Sequence, residues 1–435
     1  MPHKIFNHIP AIEYKGMQNK DALAFSHYEA DREIYGQTMR DHLRFAVCYW
    51  HSFNWTGNDV FGEGALPRPW LNKKNNHQDA LDKLDAAFDF FERLGAPFFC
   101  FHDIDAAADA NNIKELTENV KKIAEPMGIK MTDTGVKLLW GTANLFSHPR
   151  YMAGAATNPD PEIFKCAAAQ VHCMLETTHQ LDGENYVLWG GREGYDSLLN
   201  TDIKKELDQL ARFLTLVVEH KHKIGFKGTI LIEPKPHEPT KHQYDRDVAT
   251  VVSFLERYNL EDEIKLNIEA NHATMAGSSF EHEVANAFAL NAFGSIDINR
   301  GDPQNGWDTD QFHNDPKEMA LVMRHILMNG GMKSGGFNFD AKLRRQSIDV
   351  EDLFIAHIGG IDNLARGLKN GIKLIEDKVL AGFTKERYQG WFNEEGKKIL
   401  SGELSLEQLS NLAKDPKPQS GKQEFLENYL NRAIE

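Results

Sequence analysis

The sequence predicts an α/β fold: a (β/α)8 barrel of the TIM type with an N-terminal extension and a mainly helical C-terminal tail. Three observations carry this. Four short apolar runs each end in a carboxylate: Ile230-Leu231-Ile232-Glu233, Leu266-Asn267-Ile268-Glu269, Ser295-Ile296-Asp297 and Phe337-Asn338-Phe339-Asp340. The acids recur at about the length of one βα unit, since a parallel strand pair needs a crossover of a dozen or more residues. Four earlier apolar runs have the same form, so the strand ends number eight, the count that closes such a barrel.

The elements follow in order. The first strand is expected over 44–49, ending at Trp50. The second covers 97–101 and ends at His102. The third covers 136–139 and ends at Trp140, and the fourth covers 186–188 and ends at Trp189. The last four end at Glu233, Glu269, Asp297 and Asp340. Between the first two strands, residues 79–94 read as helix, with Leu81, Leu84, Phe88 and Phe91 recurring at spacings of three and four. Gly95 follows as a helix-ending glycine. Helices are also expected over 161–178 and 203–220. After the eighth strand, 347–374 reads as helix interrupted at Gly359-Gly360. The barrel is expected to span 44–379, with residues 1–43 as an extension packed on it. Residues 380–435 form the tail, where Ser405-Leu406-Glu407-Gln408 opens one helix as a capping box. This tail has too few apolar residues for its own core, so it is expected to make subunit contacts or cover its own barrel.

Composition narrows the function. A formal charge of −15 over 435 residues repels phosphate backbones and anionic lipid, so neither nucleic acid nor a membrane surface is an expected partner. The first residues lack the apolar stretch of a signal peptide, and no run is long enough to span a bilayer. Four cysteines without Cys-x-x-Cys spacing fit a reduced, cytoplasmic protein, with Cys48 and Cys100 as buried thiols.

Glu233, Glu269, Asp297 and Asp340 would converge at one mouth of the barrel. Four like charges there repel unless a cation holds them, and oxygen ligands suit a hard divalent ion such as Mg²⁺ or Mn²⁺. Any one of these acids alone could equally cap a helix; their joint position is what points to metal. His272 follows Glu269 by three residues. Asp308 and Asp310 lie in the loop after the seventh strand and would point the same way in extended chain. Together these make a second ligand set, with Glu269 able to bridge the two. The site with histidine should take Mn²⁺ or Co²⁺ more readily. His102, with Asp105 three residues on, has the form of an imidazole base oriented by a carboxylate. Lys235, two residues after Glu233, could polarise a carbonyl oxygen. Trp50, Trp140 and Trp189 at strand ends could wall a sugar pocket or pack the core. Val187 alternates with Trp189, so both should face the barrel interior while Leu188 faces the helices; Thr142 lies just beyond Trp140.

The runs Phe101-His-Asp-Ile-Asp105, Trp189-Gly-Gly-Arg-Glu-Gly-Tyr195, Leu231-Ile-Glu-Pro-Lys-Pro236, Asn267-Ile-Glu-Ala-Asn-His272, Gly306-Trp-Asp-Thr-Asp310 and Gly336-Phe-Asn-Phe-Asp-Ala-Lys342 resemble the xylose isomerase family, in its larger class with an N-terminal extension. The resemblance covers nearly the whole chain. It implies an aldose–ketose isomerase acting on D-xylose, and more slowly on D-glucose, by metal-assisted ring opening and a 1,2-hydride shift. It implies a structural metal on Glu233, Glu269, Asp297 and Asp340 and a catalytic metal on Glu269, His272, Asp308 and Asp310. His102, oriented by Asp105, would assist ring opening, and Lys235 would contact the oxygen on C1. Trp50 and Trp189 would wall the pocket, with Phe61 entering from a neighbouring subunit of a homotetramer.

Other functions fit less well. A nuclease or phosphodiesterase on this fold would need a basic groove and more histidine ligands. A sugar-binding protein has no need of His102, Lys235 and a second metal together. A sugar-phosphate isomerase would need a cationic or glycine-rich phosphate loop near the strand ends, and none is present.

Overall fold

The computed structural model describes all residues except 1–4, 72, 73 and 75. Eight parallel strands close into a barrel. They are β1 (Phe45–Cys48), β2 (Phe98–His102), β3 (Lys137–Thr142), β4 (Asn185–Trp189), β5 (Thr229–Glu233), β6 (Ile264–Glu269), β7 (Phe293–Asp297) and β8 (Phe337–Phe339). The strands are buried along most of their length, as in a sheet covered on both faces; all four residues of β1 are buried. Closure comes from β8 pairing with β1 in the register Phe337↔Phe45, Asn338↔Ala46 and Phe339↔Val47.

The outer helices are α1 (His77–Leu94), α2 (Ile113–Thr134), α3 (Pro161–Gln180), α4 (Ile203–Ile224), α5 (Val248–Arg257), α6 (Phe280–Ala289), α7 (Pro316–Met328) and α8 (Val350–Glu376). Their ends follow local chemistry. The Asn76 side chain caps α1 by accepting from the Asp79 N–H, and Gly95 ends it in the left-handed region at φ 72°. Asp160 caps α3, whose first residue is Pro161.

Three expectations need correction. The first strand stops at Cys48, not Tyr49, because Trp50–Asn54 wind into a π-helical turn. The third strand runs past Trp140 to Thr142. Gly359-Gly360 does not interrupt α8, which is continuous. Gly360 serves close packing, since a Cβ there would meet the Phe339 ring at 2.5 Å, and so does Gly367 further along, where one would meet Met319 at 2.5 Å; a Cβ on Gly359 would meet nothing.

Helix α8 also fastens both ends of the chain. The Asp362 carboxylate accepts from the backbone N–H groups of Ser26, His27 and Tyr28, each at 2.8 Å. Lys373 Nζ donates to the Ala433 carbonyl at 2.8 Å, and Asn370 Nδ2 donates to that of Glu435 at 3.1 Å. Between α8 and the last helix, α9 (Val379–Arg387), a 3₁₀ turn at Gln389–Phe392, α10 (Glu394–Leu400) and α11 (Leu406–Leu412) leave Trp391, Phe392, Leu400 and Leu406 exposed. The capping box at Ser405 and Gln408 forms as its sequence predicts. The last helix, α12 (Gln423–Ala433), returns to α8. All four cysteines are free, and Cys48 and Cys100 are buried. Among the described residues, no helix is long and apolar enough to cross a membrane.

Candidate active site

The C-terminal strand ends surround a cavity of about 400 Å³. One wall is acidic. Glu233, Glu269 and Asp297 end β5, β6 and β7, and Asp340 directly follows β8. One carboxylate oxygen from each lies within 4.8 Å of the others. Glu269, Asp308 and Asp310 make a second such group, so Glu269 belongs to both. His272 sits on the short helix Ala270–Met275 that follows β6. Its Nε2 lies 3.1 Å from Glu269 Oε2 and 3.1 Å from Asp308 Oδ2, and its Nδ1 lies 3.6 Å from Glu233 Oε1. Asp308 and Asp310 converge, but not through extended chain. Asp310 is left-handed at φ 43°. Lys342 fixes it, donating its backbone N–H to the Asp310 carbonyl at 2.8 Å and its Nζ to Asp310 Oδ2 at 2.7 Å.

Asparagine amides aim these carboxyl groups. Asn267 Nδ2 donates to Glu233 Oε2 at 3.0 Å, Asn299 Nδ2 to Glu269 Oε1 at 2.6 Å and Asn338 Nδ2 to Asp297 Oδ1 at 2.9 Å. The sequence reading missed them, though Asn267 and Asn338 each stand two residues before an acid and so share its face. His51 was missed too. Its Nε2 lies 2.9 Å from Asp340 Oδ1 and 3.3 Å from Asp310 Oδ2, joining the two acidic groups.

The charges are strongly coupled. Burial and the neighbouring Asp297 and Asp340 push the Glu233 carboxyl well above its usual range. Burial and Asp308 do the same to Glu269, and burial and Asp340 raise Asp297 to about 7. Burial also works against ionised Asp308, but Lys235 and His272 overcome it and hold that carboxyl well below its usual range. Burial disfavours a charged His51, yet Asp340 and Asp310 outweigh it and raise its pKa to about 9. Buried Asp297 Oδ2 and His272 Nδ1 have no hydrogen-bond partner. Orphaned buried acceptors in an oxygen-rich set with one imidazole fit a pair of divalent cations.

His102 and the aromatic rings line the same cavity. His102 ends β2, and its Nδ1 lies 2.8 Å from Asp105 Oδ2. Asn54 Nδ2 donates to Asp105 Oδ1 at 3.0 Å, and the buried Lys83 donates to Asn54 Oδ1 at 2.7 Å. Burial opposes the imidazolium, but Asp105 raises the His102 pKa on balance. Trp50 and Trp140 lie with centroids 5.5 Å apart, and Phe146 meets Trp189 edge-on at 4.4 Å. Phe146, absent from the sequence reading, lines the cavity with Trp50, Trp140, Thr142, Val187 and Trp189. Thr142 Oγ1 donates to the Val187 carbonyl at 2.6 Å. Leu188 turns the other way, towards Leu210, Phe213 and Leu214 of α4.

Two expected residues stand outside the cavity lining. Lys235 is buried beside it, with Nζ 2.5 Å from Asp308 Oδ2, 3.3 Å from Glu238 Oε2 and 5.1 Å from the Trp189 ring centroid. Burial disfavours its charge, but Asp308 and Glu269 raise its pKa above the usual lysine value. Phe61 is 83% exposed and does not line the cavity of its own chain.

A family model described as the XylA2 C-terminal domain matches residues 384–434. A xylose isomerase of Solibacter usitatus (strain Ellin6076) is 59% identical over 438 residues, covering 100% of both chains. One of Burkholderia ambifaria (strain MC40-6) is 57% identical over 99% of this chain and 98% of its own. One of Haemophilus influenzae (strain PittEE) is 57% identical over 99% of both. Among solved structures, a D-psicose 3-epimerase with D-tagatose from Clostridium cellulolyticum H10 shares the barrel. Its TM-score is 0.51 at 11% identity, over 74% of this chain and 99% of that one. Identity of this extent along the full length, on a barrel with this mouth, means that the chain belongs to the xylose isomerase family.

Proposed function

We propose that the chain interconverts D-xylose and D-xylulose, and more slowly D-glucose and D-fructose, at the mouth of its barrel. The observation that carries this is the pair of carboxylate groups sharing Glu269, which line one ring-walled cavity together with His102 and Asp105. The full-length relatives named xylose isomerase support the substrate.

Two divalent ions fit the donor set, Mg²⁺ first, with Mn²⁺ or Co²⁺ as substitutes. Glu233, Glu269, Asp297 and Asp340 would hold one; Glu269, His272, Asp308 and Asp310 would hold the other. When bound, such ions supply Lewis-acid charge beside the sugar oxygens. The chain's own residues do the rest. His102 moves a proton between the ring oxygen and the C1 hydroxyl as the cyclic sugar opens, and Asp105 keeps the imidazole in the tautomer that can do so. Lys235 is the positioning cation: from beside the cavity its ammonium holds Asp308. Trp50 and Trp189 cover the apolar faces of the sugar and exclude water. The six acids are committed to cations, so none is free as a base at C2. Hydrogen therefore passes between C2 and C1 as hydride, without exchange with solvent, while the hydroxyl proton moves between the oxygens on C2 and C1.

The oligomer is proposed as a homotetramer. Its support is the exposed apolar surface of the tail, at Trp391, Phe392 and Leu406, and the exposed Phe61, which would enter a neighbour's pocket. The four free thiols support a reduced, cytoplasmic setting.

The deciding assay is xylulose formation from xylose, before and after EDTA, with Mg²⁺, Mn²⁺ and Co²⁺ added back. Activity lost to EDTA and restored by these ions is expected. No xylulose under any metal condition would overturn the reading. Running the reaction in D₂O tests the transfer step: C1 of the product should stay free of deuterium.

A further inference from the structure

A second cluster of metal-type ligands lies away from the barrel mouth, on the outer helices. His172 and Glu176 stand one turn apart on α3 and share a face. His220 meets them from α4. His172 Nε2 lies 3.5 Å from Glu176 Oε1, and His220 Nε2 lies 3.6 Å from the same oxygen. All three ligand atoms fall within 4.8 Å of one another. The two imidazole centroids are 4.2 Å apart.

We propose that His172, Glu176 and His220 form a binding site for one borderline divalent cation, Zn²⁺ above all, that clips α3 to α4.

Three observations support it. The separations are long for hydrogen bonds but right for ligands of a shared ion. Metal–nitrogen and metal–oxygen bonds of about 2.0–2.2 Å at a tetrahedral angle put the ligand atoms roughly 3.4 Å apart. His220 Nε2 is buried and has no hydrogen-bond partner, an acceptor left unused by the protein itself. Two imidazoles and one carboxylate are a known zinc donor set with a fourth position left open. That opening is present here, since the His172 side chain is 54% exposed and that of Glu176 is 39% exposed. Imidazole ligands favour Zn²⁺, Ni²⁺, Co²⁺ or Cu²⁺ over Mg²⁺, so this site and the carboxylate-rich mouth sort metals differently. The location separates them too. Barrel helices run back antiparallel to the strands, so the C-terminal halves of α3 and α4 lie towards the end opposite the mouth.

The test is equilibrium dialysis of the full-length enzyme against Zn²⁺ in excess Mg²⁺, with metal counted by atomic emission. The wild type should retain one more Zn²⁺ per chain than His220→Gln or Glu176→Gln. Losing a direct ligand should weaken this binding by at least the roughly 10–100-fold that removing an outer partner costs. Zn²⁺ should raise the melting temperature of the wild type and not of the variants. His172→Asn alters a half-exposed side chain and decides the matter if His220→Gln does not fold. Equal Zn²⁺ content and equal melting shifts in wild type and variants would overturn the proposal. Turnover of xylose with Mg²⁺ should be unchanged in all three variants, so this site and the function of the mouth stand or fall separately.

Discussion

His51 Nε2 stands 2.9 Å from Asp340 Oδ1, and the same ring reaches Asp310 at 3.3 Å. One imidazolium thus tethers a carboxylate from each acidic group. It also places a proton where a cation must compete, while burial and mutual repulsion keep Glu233 and Glu269 well above the usual carboxylate range. Metal binding should therefore release protons, and affinity should rise with pH by about tenfold per unit for each proton released. Calorimetry of Mg²⁺ or Mn²⁺ binding in buffers of different ionisation enthalpy measures this directly. A binding heat independent of buffer would show that the cluster enters the bound state already deprotonated.

Glu269→Gln should abolish turnover and deplete both cations, because this residue is common to both groups. Each site should lose more than the 10–100-fold in affinity typical of a lost outer partner, about the least a direct ligand is worth. Metal counting on the purified variant checks it. Two tightly held ions with normal turnover would remove Glu269 from the bridging position.

His102→Gln should slow turnover of cyclic sugar by about 10²–10⁴-fold, the usual worth of a positioned acid–base group. Glutamine can hydrogen-bond but cannot carry the proton. The open-chain sugar should be affected much less. Equal losses on both forms would move His102 out of ring opening and leave its bond to Asp105 as a structural tie.

Much of this site is legible in the sequence because barrel strands repeat. A period of two sends each strand-end acid inward, and a βα spacing brings four of them to one mouth. What escaped has a local cause. His51 lies one residue past Trp50, inside a π-helical turn where strand alternation no longer tells which way a side chain faces. Asp310 was legible as a ligand, but not its conformation: it is itself left-handed and is pinned by Lys342, a long-range tie with no local mark. Gly359-Gly360 resembles a break by propensity. In the fold, the close approach of Phe339 to Gly360 demands glycine inside an unbroken helix.

Trp140→Phe and Val187→Thr should both raise kcat/KM for glucose relative to xylose. Both residues line the cavity beside Thr142. The first removes ring bulk, and the second adds a hydroxyl that can bond the extra CH₂OH of a hexose. A contact of this kind is worth roughly 1–3 kcal/mol, or about 10- to 200-fold in preference. Steady-state kinetics on both sugars under one metal condition measures the ratio. A ratio unchanged or lowered in both variants would place the hexose tail elsewhere in the pocket.

His357 should make the fold acid-sensitive independently of the mouth. Its Nδ1–H donates to the Leu353 carbonyl at 2.7 Å, its Nε2 is buried without a partner, and burial lowers its pKa to about 4. The folded ring thus stays neutral while the unfolded one takes up a proton below about 6.5. Stability tied to this residue is intact above pH 6.5 and falls as pH drops towards 4, by roughly 3 kcal/mol in total. His357→Phe, among Phe90, Phe312 and Phe339, should flatten that part of the profile. Melting temperatures of both EDTA-treated proteins between pH 4 and 7 provide the comparison; parallel curves would discount the residue.

The closure of β8 onto β1 sets a clock on biosynthesis. Trp50 and Asp340, joined across that seam at 2.8 Å, are 290 residues apart in the chain. A ribosome adding about 5–20 residues per second leaves the edge of β1 without its final neighbour for roughly 15–60 s. Through that interval the nascent protein carries an open, wholly apolar strand, the kind of edge that recruits other chains. The mouth is completed late as well: of its four strand-end acids, Asp340 emerges last, directly after β8. Yield in the cell should therefore depend on what shields β1 during that minute as much as on the stability of the finished enzyme.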